Sequence, residues 1–81
     1  ARADAPDVAA AEQRYTEARA IADELGMQPL AARCALGLGQ LYAATGRRVP
    51  ARRELTGAAD SFRALAMKAY LARAEAALGD L

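Results

Sequence analysis

Laid over itself at an offset of 40 residues, the chain repeats. Leu25, Met27, Ala32, Arg33, Leu38, Gly39 and Leu41 recur as Leu65, Met67, Ala72, Arg73, Leu78, Gly79 and Leu81, and upstream Ala11 and Ala18 recur as Ala51 and Ala58. A period of this size marks architectures in which each unit buries its apolar face only by stacking on the next. At 81 residues there is room for one small domain of about two such units, with a modest core.

Composition decides what the units are made of. Apolar residues are 54% of the chain, and more than half of them are alanine, the strongest helix former and small enough to let helices approach closely. Strand-favouring Val, Ile and Thr are scarce. The apolar residues Val8, Ala11, Tyr15, Ala18, Ala22 and Leu25 step by three or four, which draws one stripe down a helix. Pro6 suits the first turn of that helix, and Gly26 reads as a left-handed stop after it. Pro29 opens a second helix carrying Leu30, Ala31, Cys34, Ala35, Leu38, Leu41 and Tyr42, closed by Gly46 in the same way. A third begins near Pro50 with Ala51, Leu55, Ala58, Ala59, Phe62 and Leu65, and a fourth carries Leu71, Ala74 and Leu78. The expected fold is all-α, with helices at about 6–25, 29–45, 50–66 and 69–80. Connections this short make sequential helices antiparallel neighbours.

Several function classes drop out. The net charge of +1 offers no global field toward nucleic acid or an anionic membrane. No apolar run approaches the ~20 residues that span a bilayer, and no signal-peptide layout opens the chain. There is no histidine, the commonest general base and metal ligand, and the single Cys34 rules out a structural zinc site. Gly37-Leu38-Gly39 lies inside a helical pattern with no strand before it, so it is no dinucleotide fingerprint. The expectation is a non-enzymatic chain with no cofactor, no metal and no membrane contact, in a reducing, cytoplasmic setting. Arg supplies ten of the eleven basic residues, a bias of GC-rich coding from which a bacterial source is the expectation.

Within the repeat, Ala35-x-x-Leu38-Gly39-x-x-Tyr42, then Gly46, Ala51-x-x-x-Leu55 and Ala58, resemble the tetratricopeptide signature of Trp, Leu-Gly, Tyr, Ala and Phe. Ala35 and Leu55 stand where the family carries aromatics, Arg63 stands at its closing proline, and the period exceeds the usual 34. The longer wording, from Glu24-Leu25-Gly26-Met27 through Thr45-Gly46-Arg47 and on to Ala74-Glu75-Ala76, resembles the C-terminal repeat arrays of bacterial adenylate/guanylate cyclase-like proteins and ATPase-type transcriptional regulators. That resemblance implies helical hairpins stacked as a right-handed solenoid segment of a longer regulatory protein. It also implies small residues Gly39, Ala51 and Ala58 where helices close on one another.

By the same resemblance, the first helices of successive hairpins line a groove that takes a peptide or helix of a partner protein. The residues expected there are Arg33, Leu36, Gln40 and Ala43, with Arg73, Ala76 and Asp80 on the next hairpin. Two recurring guanidinium groups, Arg33 and Arg73, suit bidentate contact with carboxylates. Arg47, Arg48, Arg52 and Arg53 form the densest charge cluster and a candidate anion contact. No aromatic residue lies among them to stack on bases, so nucleic acid is not the expected partner. Cys34, Tyr15, Tyr42 and Phe62 read as core, Met27 and Met67 as gap-fillers. The end helices leave Tyr15, Leu78 and Leu81 uncovered, an opening for flanking repeats or for self-association.

Overall fold

The chain reverses direction three times, each time within three residues, and each turn has the same backbone. The computed structural model describes residues 4–81, with side chains from Asp7 onward. Four helices fill it: α1 (Asp4–Glu24), α2 (Gln28–Ala44), α3 (Arg48–Ala64) and α4 (Lys68–Gly79), with no strand among the described residues. The middle residue of each turn is left-handed: Gly26 at φ 70°, Gly46 at 79° and Ala66 at 58°. The third residue has φ near −90°: −88° at Met27, −95° at Arg47 and −92° at Met67.

The hydrogen bonds explain why three residues suffice. The N–H groups of Met27, Arg47 and Met67 donate to the carbonyls of Ala22, Tyr42 and Phe62 at 2.8, 2.8 and 2.9 Å. The N–H groups of Gly26, Gly46 and Ala66 donate to Asp23, Ala43 and Arg63, each at 3.2 Å. This is the Schellman arrangement, which satisfies the last carbonyls of the outgoing helix. The same third residue starts the next helix, because the carbonyls of Met27, Arg47 and Met67 accept from Ala31, Ala51 and Leu71. None of these three N-cap positions makes a side-chain cap. The helix start is therefore set by the preceding turn, and the usual Ser, Thr, Asp or Asn signal is missing from the sequence.

The expected helix starts fall slightly late. Pro29 is the second residue of α2 and Pro50 the third of α3, while α1 begins at Asp4, ahead of Pro6. Proline is harmless anywhere in the first turn, where no N–H has an intrahelical partner. The offset of 40 holds in the backbone: α1 ends at Glu24 and α3 at Ala64, α2 begins at Gln28 and α4 at Lys68.

Each helix packs on its chain neighbours, and α2 also touches α4. The largest fully buried side chains are Phe62, Leu38 and Leu55, and most of the remaining core is alanine. Gly39 is buried against α3: a Cβ there would stand 2.5 Å from Leu55 Cδ2 and 3.3 Å from the Leu55 backbone nitrogen. Ala51 and Ala58, the expected small residues of α3, are fully buried. Cys34 is buried, as its place on the stripe implied. No helix among the described residues is long and apolar enough to cross a membrane.

Four expectations about the edges need correction. Leu25 is 67% exposed and Met27 46%, whereas Ala22, one turn earlier, is fully buried: the packed stripe of α1 ends at Ala22 and the turn that follows faces solvent. Tyr15 is not core: it stays 37% exposed, with its ring laid over Gly37. Leu78 and Leu81 are not left uncovered, since both are half-buried against the cluster around Phe62 and Ala74. Ala72 and Gly79 do not reproduce the burial of Ala32 and Gly39, because α4 packs on α3 and α2 and its other face is open.

Two pairs of substitutions test this account by urea denaturation. Ala66→Gly relieves an alanine held in the left-handed region and should stabilise the chain by about 1 kcal/mol, whereas Gly46→Ala should destabilise it by a similar amount. Gly39→Ala should cost about 1–3 kcal/mol through overlap with Leu55. Gly57→Ala, also inside a helix but with open space around it, should gain about 0.5–1 kcal/mol. Equal effects at Gly39 and Gly57 would remove the close-approach argument.

Candidate binding cleft

Two groupings of polar side chains stand out. One is a clasp, the other a cleft.

The clasp ties α1 to the turn between α2 and α3. Tyr42 Oη donates to Glu12 Oε2 at 2.8 Å, and Arg47 donates to Glu12 Oε1 at 3.0 Å. The Arg47 guanidinium also lies over the Tyr42 ring, 4.7 Å from its centroid. A second pair, Arg19 with Glu54, joins α1 to α3 directly. The Tyr42 hydroxyl, and then Arg47, hold the Glu12 carboxyl below its ordinary value. The reciprocal bond to Glu12, with burial, pushes the Tyr42 hydroxyl up.

These contacts redistribute the expected arginine cluster. Arg47 is turned onto Glu12 and Tyr42, and Glu54 is drawn to Arg19 rather than to its neighbours. Arg48, Arg52 and Arg53 are exposed, and among the described residues none has an ion pair.

The cleft, of about 270 Å³, opens between α1, α2 and α4. Of the residues expected in a groove, it brings together Arg33, Leu36 and Gln40 from α2 with Arg73 from α4; Ala43, Ala76 and Asp80 lie outside its lining. Leu36 is buried and forms part of the floor, while Arg33, Gln40 and Arg73 are exposed at the mouth. Sequence reasoning missed the two tyrosines. Tyr15 closes the α1 side, possible only because Gly37 has no side chain beneath the ring. Tyr70 stands at the start of α4, its ring stacked on Phe62 with centroids 5.2 Å apart. Both guanidinium groups lie over that one ring, Arg33 at 5.4 Å and Arg73 at 5.3 Å. Such contacts are each worth about 0.5–1 kcal/mol at exposed sites.

The repeat accounts for this pairing. Arg33 and Arg73 hold equivalent places on α2 and α4, and those two helices meet. Tyr70 could have been found by the same device, since its counterpart Leu30 also lines the cleft. Among the described residues, no group of three His, Cys, Asp or Glu side chains is placed to hold a metal ion. Compared with protein-family models, curated proteins and solved structures, the chain matches none.

The clasp predicts a pH dependence. A folded-state pKa below the unfolded one means that protonation favours unfolding, so the stabilisation from Glu12 is complete above the ordinary carboxylate range and is lost as pH falls from there through the lowered folded-state value. For Tyr42 the folded pKa is raised, so its contribution is complete below the ordinary tyrosine range and is lost as pH rises from there through the raised folded-state value. Urea midpoints measured from neutral pH down to pH ~3 should fall less steeply in Glu12→Gln than in the parent. Parallel curves would show that the clasp does not act this way.

Proposed function

We propose that this chain is a protein-interaction segment of tetratricopeptide type, from a bacterial signalling or regulatory protein, and that it binds a peptide of its partner without catalysing a reaction. The observation that carries the reading is the cleft. Arg33, Leu36 and Gln40 of one unit and Arg73 of the next converge there, as the groove of that family would require.

Other features favour the same assignment. Gly39 and Leu55 interlock where the family's signature pairs a glycine with a large side chain, and Ala51 and Ala58 are buried at its small positions. Helices α2 and α4, the first helices of successive hairpins in this scheme, touch each other. The cleft walls combine apolar surface from Leu30 and Leu36 with a few convergent polar groups, the usual make-up of a recognition site.

A second reading has its own observation. Ile21 and Val49 are 55% and 72% exposed, and with Leu25 and Met27 they leave large apolar side chains in water. Self-association would cover such residues, and light scattering over a range of concentrations tests it. A strict monomer would leave only the peptide reading.

That reading is tested on an array of short peptides of mixed sequence, probed with the labelled chain. Retained peptides should shift the amide NMR signals of Arg33, Gln40, Tyr70 and Arg73. Gln40 is exposed, so Gln40→Trp fills the mouth without disturbing the core and should weaken retention at least about tenfold. If the array retains nothing, or the shifts gather at Arg48–Arg53 instead, the cleft is not the binding site.

A further inference from the structure

We propose that the cleft selects an acidic side chain, an aspartate or glutamate of an extended peptide, held between Arg33 and Arg73 above the Tyr70 ring. This rests on the peptide-binding reading and adds the chemistry of the ligand.

The first support is where the chain's arginines find carboxylates. Arg19 has Glu54, Arg47 has Glu12, and Arg63 has Asp60 and Glu75. Arg33 and Arg73 have none among the described residues, yet these two converge on one aromatic ring. No Asp or Glu lines the cleft, so nothing within it neutralises the pair. Two like charges brought together with their donor edges free are a site for the opposite charge. Guanidinium groups meet carboxylates through paired, charge-assisted hydrogen bonds.

The second support is rigidity. Tyr70 is stacked on Phe62, which is fully buried, so the ring is held from the core side. Each guanidinium resting on it loses freedom before any ligand arrives, which lowers the ordering cost of binding. Arg48, Arg52 and Arg53 are exposed but have no comparable platform: the ring contacts of the described arginines fall on Tyr42 and Tyr70 alone.

The third support is size and lining. A cleft of about 270 Å³ with Leu30 and Leu36 beside the two arginines fits one acidic side chain and an apolar neighbour. A nucleic acid would need a continuous track of cations, and the exposed arginines of α3 lie outside the cleft.

The probes are three matched short peptides with a central Leu-Glu-Leu, Leu-Gln-Leu or Leu-Lys-Leu, plus oligothymidylate, each measured by fluorescence anisotropy at fixed salt. The Glu peptide should bind at least about tenfold more tightly than the Gln peptide, and the Lys peptide should be weakest. The double variant Arg33→Gln with Arg73→Gln should bring the Glu peptide down to the level of the Gln peptide. A control, Arg48→Gln with Arg53→Gln, removes the same charge elsewhere and should leave the preference intact. All four positions are exposed, and circular dichroism checks that each variant folds. Equal binding of the three peptides, still lost in Gln40→Trp, would overturn the acidic preference and leave the cleft reading standing. Binding of none would overturn both. An equal loss in the control, or oligothymidylate binding more tightly than the Glu peptide, would also overturn the proposal.

Discussion

Helices α2 and α3 come close enough for Leu55 to occupy the space a side chain at Gly39 would fill, and the rest of the molecule is arranged around that approach. Large apolar side chains are few, with Phe62, Leu38 and Leu55 the ones fully buried. A core with so little bulk gains cohesion by bringing backbones together, so that many small contacts add up. The same logic recurs on the other side of α2, where Tyr15 lies across Gly37. Glycine inside a helix costs about 1 kcal/mol relative to alanine, and at both positions the contact explains its presence. Because α3 is seated firmly on α2, Phe62 is fixed, and through it Tyr70 and the floor under the two arginines.

Much of the helical layout was legible in the sequence. The four elements follow from the apolar spacing and from alanine, and Gly26 and Gly46 announced two of the turns. The third turn was hidden because Ala66 occupies a backbone conformation that sequence reasoning assigns to glycine. Helix starts were misplaced by one to two residues because Met27, Arg47 and Met67 sit where a capping side chain is expected. The exposure of Leu25 was not legible either. A stripe of apolar residues tells which face is apolar, not where along it burial stops: Ala22 is fully buried and Leu25 is not.

The site was legible in part, through the repeat. Equivalent positions on α2 and α4 brought Arg33 and Arg73 to one place, and Gln40 and Leu36 with them. Tyr15 was not legible, because its place depends on an absent side chain at Gly37, whereas Tyr70 was open to the repeat through its counterpart Leu30 and only its stacking on Phe62 lacked a sequence signature. The clasp of Glu12, Tyr42 and Arg47 escaped for a similar reason: Tyr42 belongs to the repeat signature, but nothing in the sequence pairs it or Arg47 with Glu12, 30 and 35 residues away.

The turn geometry has a bearing on how such a chain can change length. Left-handed residues fall at Gly26, Gly46 and Ala66, so the unit from one reversal to the next is fixed at 20 residues. Adding a single residue inside α3 would rotate everything after it by about 100° about the helix axis, carrying Phe62 off its facing surface. Losing one from a turn would break both Schellman bonds at once. Gains and losses of whole helix-plus-turn blocks, in pairs where α2-like and α1-like faces must alternate, are the changes of length that keep both the facing surfaces and the reversals intact.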